Sequence, residues 1–127
     1  AAVGDWYVGE VAEQKIKKNN GSPPALKFQE NPDILREVSN LREKRPSLVI
    51  GFAAETSDLI KNAEIKLNKK NCDWIIANDV STATGIMGGD QNKISLISEK
   101  QKEDWPRMSK TLVATKLAAK ICESLGV

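Results

Sequence analysis

Five lysines stand in settings that suit phosphate chemistry. Lys66 and Lys70 lie four residues apart in a stretch with helical periodicity, so both project from one helix face. Like charges at that spacing cost a few tenths of a kcal/mol unless an anion lies between them; a solvated face is the plainer explanation. Lys15, Lys17 and Lys18 lie in a polar stretch, where Lys15 and Lys17 point the same way if the chain is extended. There they would fold over phosphates or serve solubility alone.

Histidine is absent, which removes Ser-His-Asp triads, HExxH zinc sites and imidazole general bases together. Whatever chemistry occurs must use Lys, Asp, Glu, Asn or backbone groups. Asn31-Pro32-Asp33 supplies an N-cap, a proline at the first helical position and an acid in the first turn. Such a helix start favours a phosphate or carboxylate, although an ordinary capped helix has the same signature. Phe52 follows a glycine in an apolar run, where an aromatic ring packs on a nucleobase or fills the core equally well.

Two other features carry less. Gly85-Ile86-Met87-Gly88-Gly89-Asp90 lacks the strand-to-helix context of a dinucleotide loop and reads as a loop. Trp74 lies in a buried-strand pattern and Trp105 precedes Pro106, so the three tryptophans, Trp6 included, read as core and anchoring residues rather than base-stacking ones.

The elements that must position these residues alternate. Ala25 to Gln29 has the period of a half-buried strand, and a helix begins at Pro32, with Ile34, Leu35, Val38 and Leu41 on one face and Pro46 as its limit. Ser47 to Ala54 and Asp73 to Ala77 are continuous apolar runs typical of parallel strands covered on both faces, with a helix from Asp58 to Asn71 between them. Residues 78–92 read as loop and Lys93 to Ile97 as a further strand. A last helix runs from the N-cap Ser109 to Leu125, with an inward stripe of Val113, Leu117 and Ile121 and Gly126 beyond its end. The expected fold is α/β: a Rossmann-like, doubly wound, mainly parallel sheet with flanking helices. In such sheets ligands bind outside the carboxyl ends of strands, which points to Asp5, the turn at Asn31, Phe52 to Thr56 and Ala77 to Ser81.

The chain has 127 residues, enough for one core without staples. Its 40% hydrophobic and 28% charged content is that of a soluble protein, and no apolar run approaches the roughly 18 residues that span a bilayer. A net charge of +2, with acids interspersed among the lysines, excludes a polycationic nucleic-acid surface. Cys72 and Cys122 have no CxxC spacing and fit reduced thiols in a cytoplasmic protein. The opening Ala1-Ala2-Val3-Gly4-Asp5 has no signal-peptide character and reads as the end of a strand, so the domain is expected to be incomplete at its N-terminus, with residues 6–24 a flexible arm.

In order, Ala1-Ala2-Val3-Gly4-Asp5-Trp6, Lys15-Ile16-Lys17-Lys18, Asn31-Pro32-Asp33-Ile34, Gly51-Phe52-Ala53-Ala54-Glu55-Thr56 and Ala77-Asn78-Asp79-Val80-Ser81 resemble the motif set of phosphopantothenate–cysteine ligase, also called phosphopantothenoylcysteine synthetase. The resemblance covers nearly the whole chain and implies the C-terminal portion of one synthetase domain. It implies coenzyme A biosynthesis: CTP and Mg²⁺ convert 4′-phosphopantothenate to an acyl-cytidylate, and the cysteine amine displaces CMP. By the same resemblance, nucleotide contacts fall on Ala1, Asp5, Lys15, Pro32, Asp33, Ile34, Leu35, Phe52, Lys66 and Lys70, with Lys15 the catalytic candidate and no metal ligand assigned. Lys15, Lys66 and Lys70 would neutralise the triphosphate and the leaving pyrophosphate.

Gly4 stands where the family usually has alanine. The family's Gly-rich nucleotide loop, its acyl-cytidylate-binding asparagine and its commonly fused FMN-dependent decarboxylase are not in this sequence, so the chain alone is expected to bind nucleotide weakly and not to turn over. A homodimer in cytoplasm, without nucleic-acid or membrane partners, completes the implied picture. Two alternatives remain: a Rossmann-type fragment that takes NAD(P) or another nucleotide, and a non-catalytic interaction module on the same fold.

Overall fold

The computed structural model describes residues 3–9, 25–86 and 88–127. It divides into two compact units, Ala1–Ile34 and Leu35–Val127. In the first, β1 (Trp6–Val8) pairs antiparallel with β2 (Phe28–Glu30), with Trp6 opposite Glu30, Tyr7 opposite Gln29 and Val8 opposite Phe28. Residues 6–8, expected in the flexible arm, are therefore a strand; the rest of that arm, Lys15 included, lies outside the described residues, as does Ala1.

In the second unit a four-stranded sheet has the order β3 (Ile50–Glu55), β4 (Trp74–Asp79), β6 (Ile94–Ser98), β7 (Lys102–Asp104). A smaller ribbon pairs β5 (Gln91–Asn92) with β8 (Met108–Ser109). The helices are α1 (Ile34–Ser39), which begins at the junction of the two units, α2 (Leu59–Lys70) and α3 (Lys110–Leu125). The α/β class holds, but the sheet is mixed. β3 and β4 are parallel because α2 supplies the crossover; β4 to β6 and β6 to β7 have no helical crossover and run antiparallel. An apolar run such as Lys93 to Ile97 carries no sign of strand direction.

The sheet is covered on both faces. One core joins Ala53, Ile75, Ala77 and Ile97 to Ala63 and Leu67 of α2, with Leu35 and Val38 packed against it. Gly51 lies on this face, where a Cβ would stand 2.5 Å from Leu35 Cδ2 and 2.7 Å from Ile75 Cδ1. The other core joins Ile76, Ile94 and Leu96 to Trp105 and Val113, with Leu117 of α3 against it. Trp105 is 1% exposed; its indole N–H donates to Glu103 Oε1 at 2.9 Å, and the Lys116 ammonium lies 4.3 Å from the ring centroid. Trp105 and, at the margin of the core, Trp74 take the packing roles expected of them.

The ends of the helices follow their caps. Ser109 accepts from the Leu112 N–H, and Gly126 closes α3 at φ 71°, as its sequence signals require. α1 is shorter than its periodicity suggests. The Arg45 guanidinium donates to the Ser39 carbonyl at 2.8 Å, so a side chain takes a carbonyl that a further turn would use. Leu41 is left exposed. Arg45 also pairs with Asp73 at 3.0 Å, and the same carboxylate accepts the Val49 N–H at 2.6 Å, which secures the entry to β3.

Candidate functional site

Each unit contributes residues singled out by type and spacing. In the first, the Asn31 N–H donates to the Asp5 carbonyl at 2.9 Å and the Asn31 side-chain amide donates to the Gly4 carbonyl at 2.7 Å. Asp5 and the Asn31-Pro32-Asp33-Ile34 turn, 26 residues apart in sequence by their nearest members (31 − 5), are thus adjacent. The Asn31 side-chain nitrogen is committed to Gly4, and the Ile34 N–H bonds to the Pro32 carbonyl at 3.1 Å. The Asp5 side chain is exposed, as are Pro32 and Ile34.

In the second unit Phe52 is the third residue of β3 rather than a residue beyond its end, since the strand runs to Glu55. Strand alternation puts Gly51 and Ala53 into the core and turns Phe52 and Ala54 outward. Phe52 is 65% exposed, which sets aside the core-filling role. Among the described residues β3 pairs only with β4. Lys66 reaches that strand from α2, its ammonium donating to the Phe52 carbonyl at 3.0 Å. Lys70 lies one turn further along the same face, half-buried like Lys66. Leu35 packs against the core.

The parallel register places Ala54 beside Asn78 and Glu55 beside Asp79, so the carboxyl ends of β3 and β4 lie together as expected. The acids there are engaged. Glu55 accepts from the Asn62 amide at 3.2 Å. Asp79 Oδ1 accepts the Ser81 N–H at 2.8 Å, and hydrogen bonds from Ser81 hold the Asp79 carboxyl below its ordinary range. Thr84, in the 3₁₀ turn Thr82–Thr84, donates to the Asp79 and Ser81 carbonyls at 3.1 and 2.8 Å, while Arg107 donates to the Thr84 carbonyl at 3.1 Å. The glycines that follow form a loop with Gly85 and Gly88 at positive φ, not a phosphate-binding strand-to-helix turn. Among the described residues no group of three or more acidic or thiol side chains could hold a metal ion.

Asn92 was not distinguished by its sequence context. In the structure its Oδ1 lies 3.5 Å from the Asn78 side-chain nitrogen and 2.9 Å from the Lys93 backbone nitrogen. Only the fold brings this amide to the end of β4, and no local motif announces it.

This is an α/β module in which a lysine of α2 is anchored to the strand that displays an exposed aromatic ring. Residues 1–125 match the model of the DNA/pantothenate metabolism flavoprotein C-terminal domain, and the chain belongs to that family. It is 42% identical over 123 residues to the coenzyme A biosynthesis bifunctional protein CoaBC of Haemophilus influenzae, covering 97% of this chain and 30% of that protein. Against the Escherichia coli K12 CoaBC it is 38% identical over 123 residues, 95% of this chain and 30% of that one. The chain thus spans about 30% of the length of these curated relatives. A crystal structure of the C-terminal domain of CoaBC superimposes with a TM-score of 0.63 at 27% identity, over 80% of this chain and 45% of that one. The match lies in the C-terminal, synthetase part of CoaBC, in keeping with the ordered motifs. Among the described residues, no helix is long and apolar enough to cross a membrane.

Proposed function

We propose that this chain supplies the C-terminal portion of a CTP-dependent phosphopantothenate–cysteine ligase that acts in cytoplasm as a step of coenzyme A biosynthesis. The observation that carries the reading is the Lys66–Phe52 contact in a chain whose CoaBC relatives bear a coenzyme A biosynthesis name. A cation anchored to the backbone of a residue whose ring is exposed is suited to a ligand that is anionic at one end and aromatic at the other.

In the proposed reaction a carboxylate oxygen of 4′-phosphopantothenate attacks the α-phosphorus of CTP and pyrophosphate leaves. The cysteine amine then attacks the acyl carbon of the acyl-cytidylate, CMP leaves and the amine gives up a proton. Lys66 and Lys70 offset triphosphate charge, with Lys15 as the further cation of the set, and Phe52 supports the base. Asp5 and residues 32–35 are the remaining nucleotide contacts of the proposal. Magnesium, carried by the triphosphate, would add charge compensation. No side chain needs to form a covalent intermediate, which agrees with a sequence without histidine.

CTP titrated in the presence of Mg²⁺, with ATP as control, into the chain and into the complete protein that contains it tests the reading. Selective CTP binding, weakened by Lys15→Ala and by Lys66→Ala, is the expected result. A complete protein that neither binds CTP nor releases CMP in the presence of both other substrates would sink it.

A further inference from the structure

We propose that Asn78 and Asn92 together read the hydrogen-bonding edge of the pyrimidine base, and so select cytosine over uracil. The inference rests on the ligase reading above and adds to it a specificity-determining pair. The argument begins with the orientation of two amides. The backbone N–H of Lys93 points at one side-chain atom of Asn92 across 2.9 Å, and a backbone N–H requires an acceptor, so that atom is Oδ1. Asn78 approaches the same oxygen at 3.5 Å and must present its own donor, Nδ2. The flips of both amides are thereby determined by one backbone group. What is left over is Asn78 Oδ1, an acceptor, and Asn92 Nδ2, a donor. Among the described residues neither takes part in a hydrogen bond, and both side chains are half-buried, so one acceptor and one donor stay available to a ligand.

Their position supplies the partner's shape. Asn78 lies directly beside Ala54 in the β3–β4 register, and Phe52 lies two residues earlier on β3, on the same face of the sheet. An exposed ring, a methyl group and an amide therefore follow one another across that face: a flat apolar floor with a polar rim. Cytosine presents an exocyclic amine next to a ring acceptor, complementary to Asn78 Oδ1 and Asn92 Nδ2. Uracil presents the reverse, a carbonyl next to a ring N–H, and meets like with like at both positions. The trans amides of a pantothenyl chain carry their N–H and C=O on opposite sides, so they do not match a donor and an acceptor side by side.

Asn92→Asp is the informative variant. It retains the oxygen that accepts from Lys93 and Asn78 and exchanges only the free donor for an acceptor. In the complete protein, steady-state rates are measured with CTP and with UTP, and KM for 4′-phosphopantothenate and the thermal midpoint are recorded beside them. The expected result is a ratio of kcat/KM for CTP over UTP at least tenfold below wild type, with phosphopantothenate KM and the thermal midpoint unchanged; Asn78→Leu lowers the same ratio. An unchanged ratio in both variants overturns the inference while the ligase reading stands. A loss confined to phosphopantothenate KM also overturns it, assigning the pair to the other substrate. Wild-type protein without CTP-dependent turnover sinks the ligase reading and this inference with it.

Discussion

The Lys66 ammonium donates a hydrogen bond to the Phe52 carbonyl at 3.0 Å, joining α2 to β3 beside a side chain that is 65% exposed. Lys66 is held in place by the same strand that displays the ring, so charge and aromatic surface are positioned as one unit. A charged donor that also meets a phosphate contributes on the order of 1.5–3 kcal/mol. Lys66→Ala should weaken CTP binding by the complete protein at least about tenfold. Its urea midpoint should move little, since one half-buried lysine contributes little to folding. Calorimetry and denaturation on the same preparation check both halves.

Phe52→Ala should separate binding from stability in the same direction. An outward-facing ring that is largely exposed adds little to the core, so the change in unfolding free energy should stay within about 1 kcal/mol. Loss of a stacked base should cost about 1–3 kcal/mol of nucleotide affinity. A variant that unfolds readily yet binds CTP normally would return Phe52 to a packing role.

The neighbouring glycine should behave oppositely. Gly51→Ala places a methyl 2.5 Å from Leu35 and 2.7 Å from Ile75, inside a packed core. Overpacking of this kind costs about 1–3 kcal/mol, to be read from urea denaturation. Gly51→Ser should be at least as damaging. An unaltered midpoint in Gly51→Ala would mean that Leu35 withdraws from β3 at no cost.

Acid should loosen the attachment of α3. Lys120 bonds Glu103 at 2.7 Å and holds its carboxyl below the ordinary 4.5, with a hydrogen bond from the Trp105 indole adding to the effect. A carboxyl whose pKa is lowered on folding stabilises the folded state above its unfolded value, and that contribution fades as pH falls through the folded one. Lys120, raised chiefly by its hydrogen bond to Glu103, contributes below 10.5 and loses its share as pH rises through the folded value. Between these limits the pair is intact. Urea midpoints recorded from pH 6 to about pH 2 should fall less steeply in Lys120→Met than in wild type, since the variant lacks this linkage. Parallel profiles would show that Glu103 does not feel Lys120.

The homodimer that the family resemblance implies can be tested at a surface of the first unit. Trp6 and Phe28 lie on one face of the β1–β2 pair, 58% and 60% exposed. A two-stranded ribbon with such a face is marginal in water unless something covers it. Trp6→Glu should lower the dimer fraction of the complete protein in sedimentation at micromolar concentration. A wild-type protein that is monomeric there would refute the dimer.

Much of the fold was legible residue by residue. The α3 boundaries followed from Ser109 and Gly126, and α2 from its periodicity between Asp58 and Asn71, because capping and amphipathic spacing are local and act within one turn. The family was legible from five short motifs in order, and the proximity of the β3 and β4 ends from the strand–helix–strand pattern. What the sequence could not determine is whatever depends on groups distant along the chain. The direction of β6 depends on whether a helix intervenes, and an apolar run has the same appearance either way. The end of α1 was decided by Arg45 taking the Ser39 carbonyl, and the commitment of the Asn31 side-chain nitrogen by Gly4, 27 residues earlier (31 − 4). The outward turn of Phe52 and the meeting of Asn78 with Asn92 are likewise tertiary facts. A strand's alternation says which residues share a face, but only the packing of α2 and α3 decides which residues on each face are covered and which are left exposed.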